Sequence, residues 1–137
     1  MQKTLFFIVS VFAMHIYADA LPDKVKQQNI HVVQAAAKGL SEKLPQKVDK
    51  YTSLVKIVSK GERLIYTYEI NDPKMSDDAI KGKGQKKMKK PVTHGICTSS
   101  KRFLQSGISI TYRYVGAKSK KELFAFDVSK KDCESLN

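Results

Sequence analysis

The stretch SLVKIVSKGERLIYTYEIND, Ser53–Asp72, decides the fold. Leu54 to Val58 and Leu64 to Ile70 are rich in β-branched and aromatic residues, and SKGE between them has turn chemistry. The segment therefore predicts a β-hairpin. Asn71-Asp72-Pro73-Lys74 closes the second strand, because proline and aspartate suit a turn. The pattern recurs downstream. GISITYRYVG, 107–116, and KELFAFDVS, 121–129, predict a second hairpin joined through the GAKSKK segment, 116–121.

The inner strands of the two hairpins resemble one another. In LIYTYEI, Leu64, Tyr66, Tyr68 and Ile70 share a face; in ISITYRY, Ile108, Ile110, Tyr112 and Tyr114 do. Four tyrosines on a sheet face have two readings. They form a platform for stacking bases or sugars, or they pair across strands beneath a helix. Each shares its face with large aliphatic residues, which favours packing.

Outward from the strands, the sequence reads as helices. Pro22-Asp23 offers a helix start with aspartate as cap. From there Val25, Val32, Val33, Ala36 and Leu40 fall on one side of a wheel. Lys24, Gln27, His31, Gln34 and Lys38 fall opposite. That amphipathic pattern predicts a helix stopping near Gly39. Leu44–Ser53 reads as an extended lead-in to the first hairpin. Ser76-Asp77-Asp78 predicts a second helix start, with negative charge at its positive end. Thr98–Gly107 reads as a short helix or turn capped by Ser99 or Ser100. The expected fold is α+β, in the order α-β-β-α-β-β. It comprises an antiparallel sheet of about four strands, as two hairpins, with two main helices on one face.

The second helix carries KGKGQKKMKK, Lys81–Lys90, in which six of ten residues are lysine. Ile80, Gly84, Met88 and Val92 form an apolar stripe on a continuous helix. Lys83, Lys86, Lys87, Lys89 and Lys90 form a cationic back, and only Lys81 strays. Gly82 and Gly84 weaken this helix, and Pro91 threatens to kink it. A solvated lysine face is the ordinary reading, but such faces usually mix signs. No carboxylate occurs between Asp78 and Glu122. Lys81, Lys83, Lys86, Lys87, Lys89 and Lys90 are therefore the candidate anion-binding residues.

The whole chain is strongly basic. Its 137 residues carry 25 Lys and Arg against 13 Asp and Glu, a formal charge of +12. Such a balance attracts acidic lipid, polyanions or acidic proteins. Only three of the basic residues are arginine, namely Arg63, Arg102 and Arg113. Lysine supplies hydrated point charge, whereas arginine supplies directional, bidentate phosphate recognition. No zinc-ligand spacing, RNP-like aromatic motif or helix-turn-helix signature is present, so sequence-specific nucleic acid is not expected.

The first twenty residues have the form of an export signal. Lys3 gives a positive start, Leu5–Met14 an apolar run, and Ala18-Asp19-Ala20 a small-x-small site. The expectation is a signal peptide over 1–20 and a single domain over 21–137, exported to the periplasm or secreted. Cleavage removes Lys3 and Asp19 together, so the charge is unchanged. In an oxidising compartment Cys97 and Cys133 are expected to form one disulfide.

No catalytic constellation is evident. The histidines His15, His31 and His94 are isolated. HGIC, 94–97, sets His94 near Cys97, but adjacency in sequence does not make catalytic geometry. GKGQKK, 82–87, lacks P-loop spacing and its Ser/Thr. No enzyme activity, metal or cofactor is expected.

Several of these segments together resemble a group of small exported bacterial proteins, mostly of undescribed function. They are LPQKVDKYTSLVKIV, LIYTYEI, GICTSSKRFLQSGISITYRY and the closing Cys133. The group shares an extended Leu-Pro-x-x-Val-Asp-x-x-Thr-like segment and a Tyr-x-Tyr strand. It also shares a cysteine, leucine and glycine motif before a second Tyr-x-Tyr strand, and a final cysteine. Here that motif is Cys97, Leu104 and, one position early, Gly107. The resemblance spans Leu44 to Cys133. It implies an exported α+β domain with one disulfide, in some members by type II secretion, and it carries over no active residues. A weaker resemblance is to periplasmic pilotin-like domains that help assemble secretion machinery. Those commonly begin as lipoproteins, and no lipid-bearing cysteine stands near Ala20.

The functional expectation is an exported, non-catalytic binding protein whose lysine-rich surface engages an anionic partner. Acidic phospholipid or phosphoinositide headgroups at a membrane surface come first, ahead of other polyanions. The alternative is a periplasmic envelope or secretion-system accessory protein that binds another protein through its sheet edge or tyrosine face.

Overall fold

The computed structural model describes residues 15–136. Helix α1 spans His15–Ser41 and takes Pro22 inside it. The expected start at Pro22-Asp23 is thus displaced upstream, and the helix also runs through Gly39. Of the expected signal segment, residues 1–14 lie outside the described residues. The buried stripe of α1 is Asn29, Val33 and Ala37, with Ala36 half-buried. Val25, Val32 and Leu40, expected on the inner face, are exposed. His31 is exposed, as its wheel position predicted.

A two-residue strand β1, Gln46–Lys47, precedes β2, Thr52–Lys60, and β3, Arg63–Ile70. β2 and β3 form the predicted hairpin, with Gly61 at φ +56° in its turn. Glycine takes that left-handed conformation without a Cβ clash. Helix α2, Asp77–Ser99, and the short α3, Lys101–Gln105, then lead to β4, Ser109–Gly116. β4 and β5, Glu122–Val128, make the second hairpin, and α4, Lys130–Glu134, is the last described element.

The sheet has five strands in the order β1-β2-β3-β4-β5, and it is mixed. β3 and β4 are parallel, with Arg63 opposite Ser109 and Ile70 opposite Gly116. This corrects the all-antiparallel, four-stranded expectation. The two hairpins exist, but α2 carries the chain back along the sheet before β4 begins. A parallel pair requires such a crossover, usually a helix. The helix count also rises, because α3 and α4 join the two main helices.

One apolar core lies between the sheet and both long helices. It includes Val33 of α1, Leu64 and Tyr68 of β3, Ile110 of β4, Phe126 of β5 and Ile96 of α2. α1 packs over β2 and the flank of β3, whereas α2 packs over β5. The opposite sheet face carries polar members of the alternation. There Arg63 Nη1 donates to Thr111 Oγ1 at 2.7 Å and to Asp127 Oδ1 at 2.6 Å. Arg113 pairs with Glu122.

Candidate functional site

The lysine helix starts where the sequence places it. Ser76 Oγ accepts from the Ala79 amide at 3.3 Å, and Asp77 and Asp78 occupy the first turn. Asp77 also accepts a 2.6 Å bond from Ser119 Oγ, which ties the β4–β5 loop to this end. The helix continues through Gly82, Gly84 and Pro91 to Ser99. Its inner stripe is Ile80, Gly84, Met88, Val92 and Ile96, buried or half-buried. At Gly84 α2 approaches the sheet closely: a Cβ there would stand 2.8 Å from Phe124 Cε1.

Lys81, Lys83, Lys86, Lys87, Lys89 and Lys90 are all exposed on this helix. Lys81 strays from the cationic back on the wheel and is nonetheless in solvent. None of the six takes part in an ion pair among the described residues. Like charges three and four apart on a helix repel, by about 0.2–0.5 kcal/mol per pair. Lys83 and Lys87, and Lys86 and Lys90, stand at the four-residue spacing. Of the loop lysines near them, Lys120 is committed to Glu69. The structure therefore brings the predicted residues onto one helix as uncompensated charge.

The four tyrosines form a ladder. Tyr66 sits opposite Tyr112, and Tyr68 opposite Tyr114. Ring centroids are 5.1 Å apart for Tyr66–Tyr112 and 5.0 Å for Tyr68–Tyr112 and Tyr68–Tyr114. Phe124 continues the stack from Tyr114 at 5.0 Å. Tyr68 and Tyr114 are buried, whereas Tyr66 and Tyr112 are half-buried on the β3–β4 seam between the territories of α1 and α2. Burial, with the Tyr112 phenol nearby, pushes the Tyr66 hydroxyl up to about 12 and raises those of Tyr68 and Tyr114 further. Packing thus accounts for two of the four rings fully.

Two features escape the sequence reading. Leu21, Val25 and Val32 are exposed apolar residues of α1. At about 100° per residue they fall within a narrow sector of one flank. A cleft of about 400 Å³ lies beside the Cys97–Cys133 disulfide, lined by His94, Lys101, Leu104, Lys130 and Glu134 among others. Cys97 is bonded to Cys133, so His94 has no free thiol beside it. Among the described residues no three His, Cys, Asp or Glu groups gather as a metal site. No described helix is long and apolar enough to cross a membrane.

No protein-family model matches the sequence, and no curated protein matches it significantly. Solved structures do resemble the fold. A Pseudomonas aeruginosa protein inferred to be secreted superposes with TM-score 0.70 at 13% identity, over 80% of this chain and 96% of that one. The pilotin of the Vibrio vulnificus type II secretion system gives 0.66 at 13% identity, over 81% and 96%. The type II secretion system pilotin of Vibrio cholerae gives 0.65 at 16% identity, over 81% and 97%. At these identities the likeness establishes a shared fold.

Proposed function

We propose that this chain is an exported, non-catalytic accessory protein of the bacterial envelope that binds another protein. On this reading residues 1–20 are a cleaved export signal and 21–137 form the working domain. The observation that carries the proposal is the fold correspondence with two secretion pilotins over nearly their whole length. The disulfide supports it, because such bonds persist in exported proteins. The exposed Leu21, Val25 and Val32 on one flank of α1 supply apolar side chains for such a contact. The test is photo-crosslinking in the native bacterium, with a photoreactive residue at Val25 or Val32, combined with cell fractionation. The expected result is a periplasmic or released protein giving a discrete crosslinked band that survives high salt. Retention in the cytosol, or crosslinking no different from that at exposed His31, overturns the reading.

One observation favours a second reading. The six α2 lysines are exposed and make no ion pair among the described residues. On this reading they dock the folded domain on acidic phospholipid or phosphoinositide headgroups. Each lysine near an acidic leaflet contributes about 1 kcal/mol, and salt screens the attraction. Sedimentation with acidic liposomes, comparing the wild type with K86E/K87E/K89E/K90E, tests it. Unchanged binding by the variant removes the site.

A further inference from the structure

β5 is the last strand of the sheet and pairs with β4 alone among the described strands. An unpaired strand edge offers a row of N–H and C=O groups to an extended chain. The centre of β5 is Leu123-Phe124-Ala125-Phe126, without proline, glycine or lysine; a bulge at Leu123 interrupts its start, and the regular edge runs from Phe124 to Val128. At the far side of the sheet, by contrast, β1 already covers part of β2.

α2 lies directly over this strand, with Gly84 against Phe124. Its unburied perimeter therefore borders the β5 edge. At about 100° per residue, Lys81 and Lys89 flank the buried stripe on one side. Lys83 and Lys87 flank it on the other, and Lys86 and Lys90 form the crest. Both long sides of the helix carry lysine, so the side above the edge is cationic. Lys121 precedes β5, and Lys130 and Lys131 follow it, all exposed. The strand's own acids are already engaged: Glu122 with Arg113 and Asp127 with Arg63.

We propose that the free edge of β5, beneath the lysines of α2, accepts an extended acidic segment of a partner protein by strand addition. The proposal rests on the reading of a protein-binding accessory domain and names the chemistry of one partner segment. Backbone hydrogen bonds along β5 hold the segment, and its carboxylates relieve the lysine–lysine repulsion on α2. A second copy of this chain does not fit, because two such edges would oppose lysine to lysine. A lipid surface needs the crest lysines and makes no use of the strand edge.

The test uses the full mature chain and a short alternating Glu-Val peptide. Two controls are its Lys-Val counterpart and a Glu-Val peptide with every backbone amide methylated. NMR shift mapping and amide exchange locate the contact. The Glu-Val peptide is expected to shift and protect amides across Glu122–Val128, and both controls are expected to fail. K81Q/K83Q/K87Q/K89Q should weaken binding about tenfold, the combined effect of four exposed ion pairs. Equal binding of the methylated peptide overturns the proposal, as do shifts confined to α1 or the Tyr66–Tyr112 seam. Binding to phosphatidylglycerol vesicles with no binding to the peptide also overturns it and supports headgroup docking. A failure here with the α1 crosslinks intact removes the β5 site and leaves the accessory reading standing.

Discussion

The side-chain amide of Asn29 donates a 2.8 Å hydrogen bond to the Glu62 carboxylate, across 33 residues of sequence. The same nitrogen donates to the Ser106 carbonyl at 2.8 Å. One buried side chain thus fastens α1 to the β2–β3 turn and to the loop entering β4. That loop includes Gly107, which adopts φ +89° beside it. Asn29→Ala is expected to cost about 2 kcal/mol, because α1 loses two long-range hydrogen bonds, one of them to a carboxylate. Asn29→Asp should cost more, since it sets a second carboxylate against Glu62. Chemical denaturation of the two variants beside the wild type checks both the loss and its order.

Two glycines of α2 make a matched pair. A Cβ at Gly84 would lie 2.8 Å from Phe124 Cε1 and 3.0 Å from Cζ, whereas Gly82 has open space. Gly82→Ala is expected to stabilise by about 0.5–1 kcal/mol through helix propensity alone. Gly84→Ala gains the same propensity but overpacks the helix–sheet contact, which costs about 1–3 kcal/mol. The net effect should be destabilising by about 1 kcal/mol. Thermal melts of the two variants should move in opposite directions. A Gly84→Ala protein that melts above the wild type would mean that α2 does not seat on Phe124.

The contrast between those glycines shows where sequence reading stops. The wheel separated Ile80, Gly84, Met88 and Val92 from the lysines because that split depends only on spacing within one helix. It read both glycines as helix weakeners, because the reason for Gly84 lies on β5, forty residues away. The two hairpins and the Ser76 cap were legible for the same local reason, whereas the Asp23 start was not borne out, because α1 runs through it. The parallel β3–β4 pairing was not, since each hairpin has the same pattern whichever way the crossover returns. Asn29 was passed over because its burial depends on Glu62 and Ser106. On α1 the apolar count favoured Val25, Val32 and Leu40, whereas the structure buries Asn29 with Val33 and Ala37. The lysines were legible as exposed charge. Their place beside β5 was not, because it appears only once the sheet order is known.

The tyrosine ladder makes stability depend on alkaline pH. A phenol titrates near 10 in an unfolded chain. In the folded protein burial holds Tyr66 up to about 12, and Tyr68 and Tyr114 are raised as well. Below pH 10 both states keep these protons, so the tyrosines contribute no pH dependence. As pH rises above 10 the unfolded state sheds protons that the folded state retains, and stability falls with each unit. For Tyr66 the loss should be confined to the window between 10 and about 12. Replacing Tyr66 by Phe should flatten part of the decline, because the titrating hydroxyl is gone while the ring contact with Tyr112 at 5.1 Å is kept. Denaturant midpoints recorded from pH 8 to 11 test this, with phenolate absorbance followed in parallel. A wild-type midpoint that holds steady past pH 10 would show that the ladder is open to solvent and not the packed centre of the sheet.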